Sequence, residues 1–131
     1  MNFKIFGDER GSLTAVEGHK DIPFDIKRIF YIYGTKGQQI VRGDHANRKS
    51  RFVLMMLSGT CKIKVFDHQG GVQEIVELNS PEKGLYLDKM VWKEMYDFSD
   101  NSVMLVLSSE HFDKDEYIDT YEELINEIKN G

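Results

Sequence analysis

The segment Arg42-Gly43-Asp44-His45-Ala46-Asn47-Arg48-Lys49-Ser50-Arg51, followed eight residues beyond Arg51 by Gly59, is the most informative stretch of the chain. On a strand successive side chains alternate, so His45 and Asn47 project to the same face. An imidazole titrates near neutral pH and can take up and return a proton, and an amide beside it can fix its tautomer or hold a hydroxyl. The pair marks either a polar pocket or a histidine hydrogen-bonded at a sheet surface, and the segment alone leaves both open. The single cysteine, Cys61, lies in the apolar-rich stretch 57–65 and reads as a packing residue rather than a reactive thiol.

The elements that must position these residues are short. Runs rich in β-branched and aromatic residues, separated by turn chemistry, recur through the first 108 residues. The pattern predicts nine strands, over 12–17, 26–33, 41–47, 51–57, 61–67, 72–78, 84–87, 91–98 and 102–108. Ser58-Gly59 between two apolar runs predicts a tight hairpin, and Asp67-His68-Gln69-Gly70-Gly71 a longer polar one. Beyond Phe112 the period changes. Asp113 can cap a helix with Glu116 three residues on, and Tyr117, Tyr121, Leu124 and Ile128 then recur along one face, predicting a helix over about 113–130. That face is expected to pack on the β-domain or on a partner subunit.

At 131 residues and 40% apolar, the chain suits a single all-β domain, with the sheets over about 1–112 and the helix closing it. With 22 acidic against 17 basic side chains it has no basic field for a polyphosphate backbone, which argues against nucleic acid as a partner. The longest apolar run, 52–57, is far too short to span a bilayer, and the first residues carry no apolar signal region. One cysteine forms no intrachain disulfide, so a reducing, cytoplasmic location is expected.

The spacing of Gly43, His45, Asn47, Arg51 and Gly59 resembles the first cupin motif, and Gly84-Leu85-Tyr86-Leu87-Asp88-Lys89-Met90-Val91-Trp92-Lys93 resembles the second. In metal-binding cupins three histidines and a glutamate converge inside the barrel. The matching positions here are His45, Asn47, Arg51 and Lys93. A protonated lysine or arginine has no lone pair for a metal, and two inward cations repel a divalent ion and attract an anion. No metal site and no other cofactor are expected.

Further segments carry a narrower resemblance. Asp8-Glu9-Arg10-Gly11-Ser12-Leu13, the run 22–32, Arg42-Gly43-Asp44-His45-Ala46, Lys83-Gly84-Leu85-Tyr86-Leu87, the run 91–98 and Asp115-Glu116-Tyr117-Ile118 are similar to their counterparts in the TDP-4-keto-6-deoxyglucose 3,4-ketoisomerases. The resemblance covers nearly the whole chain. It implies a cupin jelly-roll β-barrel with a C-terminal α-helix, a homodimer, and a thymidine diphosphate keto-deoxysugar as ligand. It also implies an isomerase that moves the keto group from C4 to C3 by metal-free acid/base catalysis, in building 3-amino-3,6-dideoxysugars for surface glycans such as lipopolysaccharide O-antigen.

The family carries two histidines where this chain has His45 and Asn47, and the second is the usual proton-shuttling base. Asparagine is no base near neutral pH, so either His45 is the catalytic base, with Asn47 fixing its tautomer or a sugar hydroxyl, or the reaction differs from the family's; Glu94 and Asp97 are the other candidate bases. Tyr31 and Tyr33 share one face of the 26–33 strand, where a phenol can reach a sugar oxygen or simply pack. Tyr31 is taken as catalytic, and Arg10, Tyr33, Arg42, Asn47, Arg51 and Lys93 as substrate-binding, the cations neutralising the diphosphate or orienting the hexose. The competing readings are a nucleotide-sugar binder without activity, prompted by the missing second histidine, and a nucleotide-sugar epimerase. The latter needs bases on both faces of the ring, and no such His and Asp pair stands out.

Overall fold

A computed structural model of the protein describes residues 1–35 and 41–131. The described strands are β1 (Ile5–Asp8), β2 (Gly11–Thr14), β3 (Arg28–Tyr33), β4 (Arg42–Asn47), β5 (Phe52–Ser58), β6 (Cys61–Phe66), β7 (Val72–Leu78), β8 (Gly84–Leu87), β9 (Lys93–Tyr96), β10 (Val103–Ser108) and β11 (Tyr117–Ile118). A 3₁₀ turn, Lys114–Glu116, precedes β11, and helix α1 (Tyr121–Asn130) follows it.

Two antiparallel sheets form a jelly roll, with strand orders β3-β10-β5-β8 and β11-β4-β9-β6-β7, and β1 and β2 pair as a separate hairpin. The described strands do not close into one continuous hydrogen-bonded barrel. Between the sheets lies the main core, in which Leu54, Met56, Met104 and Val106 of the first sheet meet Ile63, Val65 and Met95 of the second. Burying each such side chain contributes about 1.5–3 kcal/mol. The outer face of β5 and β10 is covered as well, by Phe3, Ile22 and Phe24 against Val53, Met55 and Leu107. That is why 52–57 reads as an unbroken apolar run: a strand buried on both faces has no polar side to show.

Two sequence expectations change. Ser58-Gly59 is not a hairpin, because β5 and β6 belong to different sheets, and the connection carries the chain across the core. Gly59 has φ +75°, and a Cβ there would run into Ser99 and Ser102. Thr60 and Ser99 secure the crossing: Thr60 N donates to Ser99 Oγ at 2.8 Å, and Ser99 N donates to the Thr60 carbonyl at 3.0 Å. The Asp67 to Gly71 turn does join paired strands, β6 and β7, as expected.

The helix begins at Tyr121, not near 113. Asp113 does accept from the Asp115 backbone N–H, but it caps only the 3₁₀ turn, and Tyr117 and Ile118 then pair with Asn47 and Ala46 as an added edge strand. Thr120, extended and accepting from Glu123 N, caps α1 instead. Leu124, Tyr121 and Ile128 pack with Ala46, Trp92 and Ile118 on the outer side of the second sheet, while Tyr117 turns elsewhere.

Candidate functional site

Strands β4 and β9 bring the chemistry together. Their antiparallel register carries a bulge at which both Asp44 and His45 oppose Lys93. A bulge re-aims side chains locally. Gly43, just before it, has φ +64°, the left-handed backbone region that favours glycine, and a Cβ there would also displace the Met95 methyl.

His45 and Lys93 border a cavity of about 360 Å³ between the two sheets, with Arg28, Phe30, Arg42, Phe52 and Tyr117 among its walls. Arg28 and Arg42 join Lys93 as cations, and no carboxylate is among the described lining residues. Such a cavity attracts an anionic ligand. Tyr117 stacks obliquely on the imidazole, ring centroids 4.8 Å apart, and Phe112 lies 5.8 Å beyond it. The Arg28 guanidinium sits over Phe30 at 4.5 Å and Phe112 at 5.0 Å.

Behind the wall runs a buried polar chain. Lys93 Nζ, 5% exposed at the residue level, donates to Asn47 Oδ1 at 3.3 Å and lies 5.1 Å from the centre of the Phe52 ring. Asn47 Nδ2 donates to Glu116 Oε1 at 2.9 Å. Glu116 also accepts from Ser50 N at 3.1 Å and from Ser50 Oγ at 2.6 Å. The charged groups therefore sit at the two ends of an amide bridge.

Burial sets the electrostatics. It pushes the Lys93 ammonium down to about 7, against the opposing pull of the Glu116 carboxylate. Burial, and then the positive charge of Lys93, push the His45 imidazole down to about 4, with Glu116 again opposing. At neutral pH the cavity thus holds a neutral imidazole beside an amine whose hold on its proton burial has weakened. A neutral imidazole accepts a proton, and an adjacent ammonium stabilises the anion left behind. Among the described residues no three His, Cys, Asp or Glu side chains gather as metal ligands.

The other residues singled out from the sequence are scattered. Arg42 borders the cavity; Asn47 lies behind it, joined to Lys93. Tyr31 and Tyr33 do share a face, but it is the outer face of β3: their rings stack at 5.9 Å and are 61% and 70% exposed at the cavity rim. Arg51 lies over the Phe24 ring at 5.4 Å and donates to the Pro23 carbonyl, away from the cavity. Arg10 stands on the β1–β2 turn, ion-paired to Asp8 at 2.6 Å and also outside the cavity of its own chain. Cys61 is buried, its thiol pushed up to about 12 by desolvation.

The sequence reading missed Arg28, Glu116, Tyr117 and Ser50. Strand alternation could have found Arg28, which shares with Phe30 the face opposite Tyr31. Glu116 and Tyr117 were absorbed into an expected helix, where both had an ordinary structural purpose.

Comparison with known proteins bears on this arrangement. Residues 1–129 match the family model described as FdtA: WxcM-like, C-terminal. The TDP-4-oxo-6-deoxy-alpha-D-glucose-3,4-oxoisomerase of Aneurinibacillus thermoaerophilus is 48% identical over 122 residues, 93% of this chain and 86% of that protein. A 3,4-ketoisomerase from Helicobacter canadensis superposes with a TM-score of 0.92 at 41% identity, covering 98% of this chain and 94% of its own. The ketoisomerase QdtA of Thermoanaerobacterium thermosaccharolyticum matches with a TM-score of 0.91 at 43% identity, covering 98% and 91%. That structure is of a histidine-to-asparagine variant in complex with TDP-4-keto-6-deoxyglucose. With its model matched almost end to end, the chain belongs to the FdtA, WxcM-like C-terminal family, whose cupin jelly roll it shares.

Proposed function

We propose that the protein is a sugar-nucleotide 3,4-ketoisomerase that converts a TDP-4-keto-6-deoxyhexose into its 3-keto isomer. The observation that carries this reading is the cationic cavity with one neutral imidazole against a buried ammonium, in a chain 48% identical to an oxoisomerase of that specificity.

The reaction removes the proton on C3, holds an enediolate across C3 and C4 in which the hydroxyl proton passes from the C3 oxygen to the C4 oxygen, and delivers a proton to C4. Because the carbons adjoin, one base can serve both. His45 is that base, and Lys93 is the cation facing the enediolate oxygens. Charge developing on the sugar raises the imidazole's proton affinity as the transfer proceeds, so the low value set by burial and Lys93 does not bar it. Arg42 and Arg28 neutralise the diphosphate. Asn47 holds Lys93 rather than touching the sugar first. Tyr31 and Tyr33 reach a ligand only from the rim.

The reading includes a homodimer. Edge strand β3 exposes Ile29 (57%) beside the two tyrosines, and the neighbouring groove lined by Ile5, Val16, Ile26 and Leu105 is apolar. Such an edge is normally covered. Arg10 and Tyr31 then contribute across the interface, Arg10 not being among the residues that line the cavity of its own chain. The lone thiol of Cys61 is in keeping with a reducing cytoplasm.

Incubation with TDP-4-keto-6-deoxyglucose in deuterated water, followed by NMR, tests the activity. A 3-keto product with label at C3 of recovered substrate or C4 of product is expected. Label at C3 and C5 without carbonyl migration would mark an epimerase, and ligand binding without either would mark an inert binder.

A further inference from the structure

The buried carboxylate of Glu116 is not among the residues lining the cavity of His45 and plays no part in the proton transfer as described. Yet it is 3% exposed and surrounded by three donors: Asn47 Nδ2, Ser50 N and Ser50 Oγ. A carboxylate is acceptor-only and an amide has one end of each kind. Glu116 therefore dictates which way Asn47 faces. With Nδ2 committed to the carboxylate, Oδ1 must point the other way, toward Lys93 Nζ. Reversed, the amide would set its NH₂ against an ammonium.

We propose that Glu116 is a positioning residue for the isomerase reaction: by holding the Asn47 amide in one orientation it fixes the Lys93 ammonium at the wall where the enediolate forms. The inference rests on the ketoisomerase reading of this cavity and deepens it. Glu116 acts through Asn47 and through its charge, without meeting the sugar. It replaces a rigid donor with a relay of anion, amide and cation, which keeps a buried lysine both oriented and charged.

The ionisable groups facing Lys93 are few. From β3 come Arg28, with Tyr31 and Tyr33 at the rim; from β4 come Arg42 and His45; from the 3₁₀ turn and β11 come Glu116 and Tyr117. From β6, Val65 is its register partner, and β5 contributes Phe52 and Leu54. Asp44, the other register partner of Lys93 on β4, is exposed to solvent, so among the described residues Glu116 is the buried anion of this set and the group that opposes the lowering of the lysine. Removing its charge must shift Lys93 further toward the neutral amine, so the alkaline limb of activity moves to lower pH.

The test is Glu116→Gln, which keeps the volume and an acceptor for Asn47 and Ser50 while removing the charge. Against TDP-4-keto-6-deoxyglucose, the alkaline limb of kcat/KM is expected to move acidward by about one pH unit, and kcat at pH 8 to fall roughly tenfold. KM should stay within about twofold, because the diphosphate contacts are untouched. Titration of Lys93 followed by its side-chain NMR signals, with Lys93→Met to assign them, should show the same downward displacement without substrate. Ser50→Ala, which removes one donor and leaves the carboxylate charged, serves if Glu116→Gln folds poorly: the limb should stay in place or move to higher pH, and an acidward shift would overturn the role given to the charge. In Glu116→Gln, an unmoved pH limb and lysine titration, or a change confined to KM, would overturn the positioning role. A wild-type protein without carbonyl migration would instead refute the isomerase reading beneath it, even if the lysine titration shifts.

Discussion

His45 and Lys93 oppose each other at one register position of β4 and β9, yet the proposed reaction needs them in opposite charge states. The imidazole must be neutral, which holds above about 4, and the amine must be protonated, which holds below about 7. A bell-shaped kcat/KM is therefore expected, falling on the acid side as His45 protonates and on the alkaline side as Lys93 loses its proton. A profile that is flat from pH 6 to 9 would remove Lys93 from its role. His45→Asn should cost about 100-fold or more in carbonyl migration while nucleotide affinity stays nearly intact, and Asn47→Ala roughly tenfold. Asn47→His restores the family's second histidine, and a rise in turnover by orders of magnitude would show that His45 is not a sufficient base. The sequence made His45, Arg42 and Lys93 legible as cavity residues. It hid Glu116, because a carboxylate three residues after an aspartate is also an ordinary capping signal, and only the long-range pairing of β11 with β4 places it behind Asn47.

The elements around the site were legible where local chemistry governs them. Strands β7 and β8 have the expected boundaries, and the other seven differ by one to three residues at an end. β1 and β11 were not foreseen, since the first is exposed throughout and the second is two residues long, too short for any period to show. The late start of α1 has the same origin. Helical spacing from Tyr117 onward was real, but pairing to β4 outcompeted it until Thr120. Thr120 therefore matters more than Asp113 for the helix. Thr120→Ala should lower unfolding free energy by about 1 kcal/mol in denaturant titration, and Asp113→Ala by less. The helix is further tied to the segment after β4 by Arg48, whose guanidinium meets Glu127 at 2.7 Å and also donates to the Asp115 and Tyr117 carbonyls. One side chain thus links α1, the 3₁₀ turn and β11 to the strand that bears His45.

At the scale of the whole molecule, the formal charge of −5 and the cationic cavity are in contrast, so the anion-attracting field is local rather than general. The exposed aromatic edge of β3 should be covered in solution. Sedimentation equilibrium is expected to give twice the 15.2 kDa of the chain at micromolar concentration, and Tyr31→Glu with Ile29→Glu should shift it toward monomer. The all-β class was legible from strand spacing and the jelly roll from the family resemblance; the division into two sheets was not, because Ser58-Gly59 looks the same in a hairpin as in a crossing. That crossing has a consequence for how the chain acquires its shape. β5 finds its neighbours in β8 and β10, and β3 waits for β10, more than sixty residues later by the register of Tyr33 with Val103. Few contacts can form while the chain is short, and loop closure must be completed before the sheets reward it. Refolding on the millisecond-to-second scale follows, and during synthesis the β5 segment, apolar on both faces, must remain unpaired until β8 has emerged, about two thirds of the way along the polypeptide.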